Sequence, residues 1–141
     1  ARDRYQGYRQ ALEKYKIKFR ENLIVNADFD EDTGYFAAKT LLKEDLTAIF
    51  CGNDLMALGA ITAAEEKGMK IPKDVSIIGM DNIASTPYSK THLTTVDYSV
   101  YDMGKRASEE LLYIIEKDRT KNIAEVLPVT LVKRKTCAPP A

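Results

Sequence analysis

Two apolar runs decide the fold of this chain, Ala48-Ile49-Phe50-Cys51 and Val75-Ser76-Ile77-Ile78-Gly79-Met80. Continuous apolar runs of this length are typical of strands in a parallel sheet that is covered on both faces. The stretch between them carries apolar residues at helical spacing, and Gly68 ends that pattern. A strand, a helix and a second strand form a right-handed βαβ unit, so the two runs predict neighbouring parallel strands.

The same alternation continues on both sides of this unit. It predicts an α/β fold with an open, mostly parallel, doubly wound sheet and helices on both faces. The predicted helices cover about 3–17, 31–44, 54–67 and 100–117, and the remaining predicted strands are 23–26, 93–96 and 127–133.

Composition describes an ordinary globular chain. Its 141 residues include 45% hydrophobic and 30% charged residues, and no apolar run is long enough to span a membrane. Twenty-one basic residues balance 21 acidic ones. A domain that binds DNA unaided usually has a basic surplus, so we expect any DNA contact to come from another part of the protein. The chain begins at Ala1 rather than with Met, and we expect it to be an excised fragment.

The two cysteines, Cys51 and Cys137, differ in setting. Cys51 ends an apolar run, and Cys137 lies in a tail rich in Pro and Ala. We expect two unpaired thiols in a reducing compartment, which favours the cytoplasm.

Motifs of catalysis and cofactor binding are absent from the sequence. It has no GxGxxG, GxxxxGK[ST], GxSxG or HExxH, and His92 has no partner at ligand spacing. Asp28, Asp30 and Asp32 alternate like the start of a calcium loop, but the required Gly and Glu positions hold Thr33 and Lys39. We therefore expect no catalytic site, no cofactor and no metal, and we interpret the three aspartates as carboxylates near a helix N-terminus.

Polar residues follow the predicted strands, at the sheet edge where open α/β sheets bind ligands. They are Gly52-Asn53-Asp54, Asp81-Asn82, Asp28-Phe29 and Asp97-Tyr98. Carboxylates and amides can hydrogen-bond to hydroxyl groups, and aromatic rings suit the C–H face of a sugar. Each residue also has a structural alternative: Asn53 or Asp54 could cap the next helix, Asp81-Asn82 could form an Asx-turn, and Phe29 could pack against the following helix.

Several segments, in order along the chain, resemble the lactose-repressor/galactose-repressor family of bacterial transcriptional regulators. The segments are 4–12 (RYQGYRQAL), 53–60 (NDLMALGA), 74–82 (DVSIIGMDN), 93–96 (LTTV) and 131–136 (LVKRKT). Met80 departs from the aromatic residue that usually precedes Asp81 in this family.

The resemblance implies a fold like that of periplasmic binding proteins, with a small effector held between two lobes. Arg4, Asn53 and Asp81 match positions that hydrogen-bond to effector hydroxyls, Phe29 matches an aromatic position that stacks on the effector, and Tyr98 matches a position that can face the cleft. The expected effector is a sugar or sugar phosphate.

The resemblance also implies a domain organisation. Residues 1–141 correspond to the C-terminal lobe, except that about 98–126 belong to the other lobe. The N-terminal lobe and the operator-binding domain are absent. Without its partner, the helix at 100–117 is expected to dock on its own lobe or to pair with another copy. Leu55, Leu58 and Tyr88 match a homodimer interface.

These expectations describe a cytoplasmic repressor whose effector changes its affinity for operator DNA, with no membrane contact. The alternative from another class is a secreted sugar-binding protein for transport or chemotaxis. An enzyme with a flavodoxin-like sheet would need a phosphate loop, or a nucleophile and a base, and neither is visible.

Overall fold

The computed structural model describes residues 2–83, 92–117 and 124–140. Four α-helices, one short 3-10 helix and four strands are present in this part of the chain. The α-helices are α1 (Arg2–Lys14), α2 (Glu31–Leu41), α3 (Asp54–Glu66) and α4 (Val100–Lys117). The strands are β1 (Ala48–Phe50), β2 (Ser76–Met80), β3 (Thr94–Asp97) and β4 (Thr130–Val132), and the 3-10 helix is Glu21–Leu23.

The sheet has the order β1-β2-β3-β4. The first two pairings are parallel, with Ile49 opposite Ile77 and Gly79 opposite Thr95, whereas β4 runs antiparallel to β3. The predicted α/β class with an open, mostly parallel sheet is therefore confirmed.

The core lies where α3 packs on one face of the sheet and α2 packs against α3. Ile77, Val75 and Leu93 are fully buried, and α3 contributes small buried residues to the same cluster. Glycine allows α2 and α3 to pack closely, because a Cβ on Gly59 would lie 2.1 Å from the backbone oxygen of Glu31. The side chains at the ends of β1 and β2 are thereby fixed by a tightly packed layer.

Carboxylates hold the start of α2, as the sequence predicts. Asp30 is the N-cap residue, and its side chain accepts a hydrogen bond of 2.7 Å from the backbone N–H of Thr33. The pKa of Asp30 is lowered, chiefly by this hydrogen bond.

The strand predicted at 23–26 does not form. Leu23 ends the 3-10 helix, and residues 24–28 have no strand pairing. A cavity of about 440 Å³ is lined both by residues 23–27 and by Ala48, Ile49 and Phe50 of β1. The prediction was wrong because an apolar extended run becomes a strand only when a neighbour supplies the ladder hydrogen bonds.

α4 has the predicted bounds but not the predicted docking. It does not pack extensively on any other described element, and most of its large apolar side chains are exposed. The expectation that it docks on its own lobe is therefore wrong, and pairing with another copy stays a prediction. None of the helices in the described ranges is both long and apolar enough to cross a membrane.

Candidate functional site

The candidate site lies at the carboxyl ends of β1, β2 and β3, where Arg4 meets two of the predicted residues. Its Nη1 donates a hydrogen bond of 2.6 Å to the backbone oxygen of Gly52. Its Nη2 lies 3.9 Å from Oδ1 of Asp81, and its Cζ lies 5.8 Å from the ring centroid of Phe29. The structure thus brings together residues from α1, from the turn before α2 and from the end of β2.

Asp81 has an oxygen atom with unused bonding capacity. Its Oδ1 is buried and accepts no hydrogen bond within the described residues. The Arg4 nitrogen at 3.9 Å balances the charge but is too distant for a hydrogen bond. A buried carboxylate oxygen without a donor is costly, so a ligand that donates a hydrogen bond here gains affinity.

Asn53 caps α3, which is the structural role that the sequence offered as an alternative to effector binding. Its Oδ1 accepts from the backbone N–H of Met56 at 2.9 Å, and its Nδ2 donates to the backbone oxygen of Phe29 at 2.7 Å. Asn53 therefore holds the Phe29 backbone beside the site, while 40% of Phe29 stays exposed. Whether Asn53 also contacts an effector stays a prediction.

Asp54 is a buried structural carboxylate, a role that the sequence pattern did not predict for it. The side chain is fully buried; Oδ1 accepts from Oγ1 of Thr95 at 2.6 Å, and Oδ2 accepts from the backbone N–H of Ile83 at 3.0 Å. Burial raises the pKa of Asp54, and the hydrogen bond from Thr95 opposes that rise. Asp54 does not cap α3. Gly79 makes room for it, since a Cβ there would lie 2.2 Å from Oδ1.

Tyr98 lies near Asp81 at the end of β3. The pKa of Tyr98 is raised, first by burial and then by the negative charge of Asp81. The charge of Asp81 therefore reaches the Tyr98 phenol. Whether Tyr98 faces an effector stays a prediction.

A second polar group adjoins Asp81 and consists of Asn82, Asp97, Ser99 and Arg134. Asn82 Nδ2 donates to Asp97 Oδ2 at 2.9 Å, and Arg134 Nη2 donates to Asn82 Oδ1 at 2.6 Å. The backbone N–H of Ser99 and the amide of Asn82, in that order, lower the pKa of Asp97. Arg134 is half-buried, whereas its neighbours Lys133 and Lys135 are exposed. The only sequence signal for a role of Arg134 was its place in the LVKRKT segment.

Several residues at this sheet edge have a left-handed backbone. The φ angles are 64° for Phe29, 116° for Asp81, 53° for Asn82 and 47° for Ser99. Residues other than glycine rarely adopt such angles, and they cluster at binding sites when the surrounding contacts enforce them. The left-handed residues therefore lie at the same sheet edge as the candidate site side chains.

The predicted dimer residues lie elsewhere. On α3, Leu55 is 40% exposed, and Leu58 is partly buried against the core. Tyr88 lies outside the described residues. The homodimer interface stays a prediction.

Comparison with known proteins identifies the family. Residues 1–137 match the family described as periplasmic binding protein-like domain. The chain is 40% identical to the HTH-type transcriptional repressor PurR of Serratia proteamaculans (strain 568) over 138 residues, which are 96% of this chain and 40% of that protein.

Solved structures give the same result. A LacI family transcriptional regulator from Enterococcus faecium with bound ribose superposes with a TM-score of 0.90 at 34% identity, covering 96% of this chain and 51% of that one. The CelR–cellobiose complex, also a transcriptional regulator, has a TM-score of 0.90 at 30% identity, covering 94% of this chain and 41% of that one. The chain thus spans about half or less of the proteins it matches. It belongs to the periplasmic binding protein-like domain family, in the form that LacI-family regulators carry.

Proposed function

We propose that this chain is one lobe of the effector-sensing part of a transcriptional repressor, and that it binds a sugar or sugar phosphate. The main support for the proposal is that Arg4 contacts both Phe29 and Asp81, and that Oδ1 of Asp81 is buried without a hydrogen-bond donor among the described residues. A sugar hydroxyl can donate to Asp81 and accept from Arg4, while the Phe29 ring supplies an apolar wall. Asn53 and Tyr98 complete the proposed effector contacts.

The relatives support this class of ligand and of protein. Ribose and cellobiose occupy two similar regulators, and the PurR relative is named a repressor. We therefore favour a cytoplasmic repressor over a secreted transport protein and over an enzyme. Operator DNA would be bound by a domain outside this chain, since the net charge here is zero.

The domain organisation is part of the proposal. Residues 98–126 would belong to the other lobe, in line with the exposed apolar side chains of α4. An effector that touches both lobes binds one relative orientation better than another, so it shifts the population of orientations and with it the affinity for operator DNA. A homodimer through Leu55, Leu58 and Tyr88 would carry this change to two DNA half-sites.

Calorimetric titration of the intact regulator with a panel of pentoses, hexoses, disaccharides and their phosphates tests the proposal. Asp81→Asn is expected to weaken the tightest ligand by about 10- to 100-fold, because a hydrogen bond to a charged group is lost. The exposed Asp45→Asn is the matched control and should bind as the wild type does. Equal affinity in Asp81→Asn and wild type would contradict the proposed site, and binding of none of the panel would contradict the ligand class.

A further inference from the structure

A continuous series of hydrogen bonds links the turn after β2 to the segment leaving β3 and to the segment following β4. Arg134 Nη2 donates to Asn82 Oδ1 at 2.6 Å, and Asn82 Nδ2 donates to Asp97 Oδ2 at 2.9 Å. The backbone N–H of Ser99 then donates to Asp97 Oδ1 at 2.6 Å. One amide group therefore contacts the segment that leads from β3 to α4, through Asp97, and the segment beyond β4, through Arg134.

The same residue helps to hold the turn that carries Asp81. Asp81 and Asn82 both have left-handed backbones, with φ of 116° and 53°, so the turn needs outside support to keep its shape. That support comes from a hydrogen bond of 2.9 Å from the backbone N–H of Asp81 to the oxygen of Val96 and from the two side-chain hydrogen bonds of Asn82. A longer hydrogen bond, 3.4 Å, joins the backbone N–H of Asn82 to Thr95 Oγ1. A movement of the Asp81 carboxylate toward a ligand therefore acts directly on Asn82.

The segment held through Asp97 leads out of the sheet to α4, and the chain returns from α4 into β4, where Thr130 lies opposite Asp97. Ser99 directly precedes α4, and its Oγ hydrogen-bonds to Asp102 in the first turn of that helix. Arg134 follows β4, and its Nη1 donates to the backbone oxygen of Leu93 at 2.8 Å. Asp97 therefore lies at the exit toward α4 and opposite Thr130, where the chain re-enters the sheet, and the Asn82 amide joins Asp97 to the residue that follows Asp81.

We propose that Asn82 is a positioning residue that couples effector binding at Asp81 to the orientation of the second lobe. This inference rests on the proposed function, because it takes α4 as part of the other lobe. Effector binding shifts the 81–82 turn, and the Asn82 amide transmits the shift to Asp97 and Ser99. The hydrogen bonds to Arg134 and Asp97 differ in quality between the two lobe orientations, which supplies the differential free energy that coupling requires.

The chemistry of an amide explains why this position carries Asn. The amide donates to the Asp97 carboxylate and accepts from the Arg134 guanidinium at the same time. Asn82→Asp places a second carboxylate beside Asp97 and removes the donor. Adding Asp97→Asn restores the bond in reverse, with the new amide donating to the new carboxylate, and still leaves an acceptor for Ser99 and for Arg134.

The test measures two quantities in the intact regulator: the sugar Kd, and the factor by which saturating sugar changes the operator Kd. The probe is the tightest-binding sugar of the panel. Asn82→Asp should reduce the coupling factor at least about five-fold while the sugar Kd stays within about three-fold. The double exchange with Asp97→Asn should bring the coupling factor back to within about two-fold of the wild type. Asn22→Asp, which puts a carboxylate beside Glu44 and has no contact with the Asn82 hydrogen bonds, should leave both quantities unchanged.

Asn82→Gly covers the case in which Asn82→Asp does not fold. Glycine accepts the left-handed backbone and removes the amide without adding charge, so its coupling factor should also fall. A wild-type coupling factor of one overturns the proposed function and this inference with it. Full coupling in folded Asn82→Asp or Asn82→Gly, or a folded double exchange that does not regain coupling, overturns this inference alone.

Discussion

At the scale of residues, Asn53 and Asp54 are adjacent, yet the fold gives them different partners. Asn53 caps α3 and holds the backbone of Phe29, whereas Asp54 lies fully buried between β2 and β3. The sequence predicts polar residues after β1, because strand ends in such sheets carry them. It does not show which one turns inward, since that depends on the space above Gly79 and on Thr95, both distant along the chain.

Asp54 should give the chain a distinctive pH dependence. Its folded-state pKa is raised above 3.8, so the folded chain keeps this proton to a higher pH than the unfolded chain does. Unfolding then releases a proton, and the free energy of unfolding falls as the pH rises from 3.8 to the folded pKa. Urea midpoints measured across this window should show the fall in the wild type and a weaker one in Asp54→Asn. Parallel profiles for the two proteins would contradict a raised pKa.

Gly59 and Gly7 offer a matched pair of helix glycines with opposite expectations. Gly59→Ala puts a Cβ 2.1 Å from the backbone oxygen of Glu31, so α2 and α3 must separate. We expect a loss of about 1–3 kcal/mol in the free energy of unfolding. At Gly7 a Cβ meets nothing within 4 Å, and Gly7→Ala should stabilise by about 0.5–1 kcal/mol through helix propensity. Urea titration measures both, and a neutral Gly59→Ala would show that the two helices are not in close contact.

At the scale of elements, periodicity predicts α4 within its observed bounds and predicts β1, β2 and β3 to within about two residues. The predicted C-terminal end of α1, residue 17, lies beyond the observed end at Lys14. Lys16, just after the helix, has a left-handed backbone that a helix cannot include. Periodicity fails at 23–26, because apolar character alone cannot supply the neighbour that a strand needs. Local pattern therefore gives the elements, and pairing partners decide which extended runs become strands.

The apolar face of α4 should add nothing to the stability of this chain on its own. Leu112 is 59% exposed, so Leu112→Gln, which keeps helix propensity, should change the free energy of unfolding by no more than about 0.5 kcal/mol. Ile77 is fully buried, and Ile77→Ala should cost about 2–5 kcal/mol. Denaturant unfolding of both variants measures the difference. A cost above about 1.5 kcal/mol for Leu112→Gln would mean that α4 docks on the lobe after all.

At the scale of the whole molecule, the two faces of the sheet differ in exposure. One face is covered by α3, on which α2 packs, while Phe50 and Leu131 on the other face are 41% and 48% exposed. The strand-end rule pointed to Phe29 and Asp81 as candidate site residues, and the family resemblance added Arg4. The structure brings the three together, and their contact with an effector stays a prediction. The sequence did not locate Arg134 or the Asn82 network, since those contacts join residues 52 positions apart and leave no local pattern.

The central claim is that Arg4, Phe29 and Asp81 form one wall of a sugar site, and an NMR titration of this 15.8 kDa chain tests it most directly. One wall of a cleft should bind weakly, so the tightest-binding sugar of the panel is added up to tens of millimolar. Dissociation constants from about 1 mM to tens of millimolar correspond to binding free energies of about 2–4 kcal/mol in magnitude. The account predicts that the shifted signals cluster at the side chain of Arg4 and the amides of Phe29, Gly52, Asp81 and Asn82. Shifts confined to the opposite end of the sheet or to α4 would contradict this claim. A spectrum that stays unchanged up to tens of millimolar sugar, although the intact protein binds that sugar, would contradict it as well.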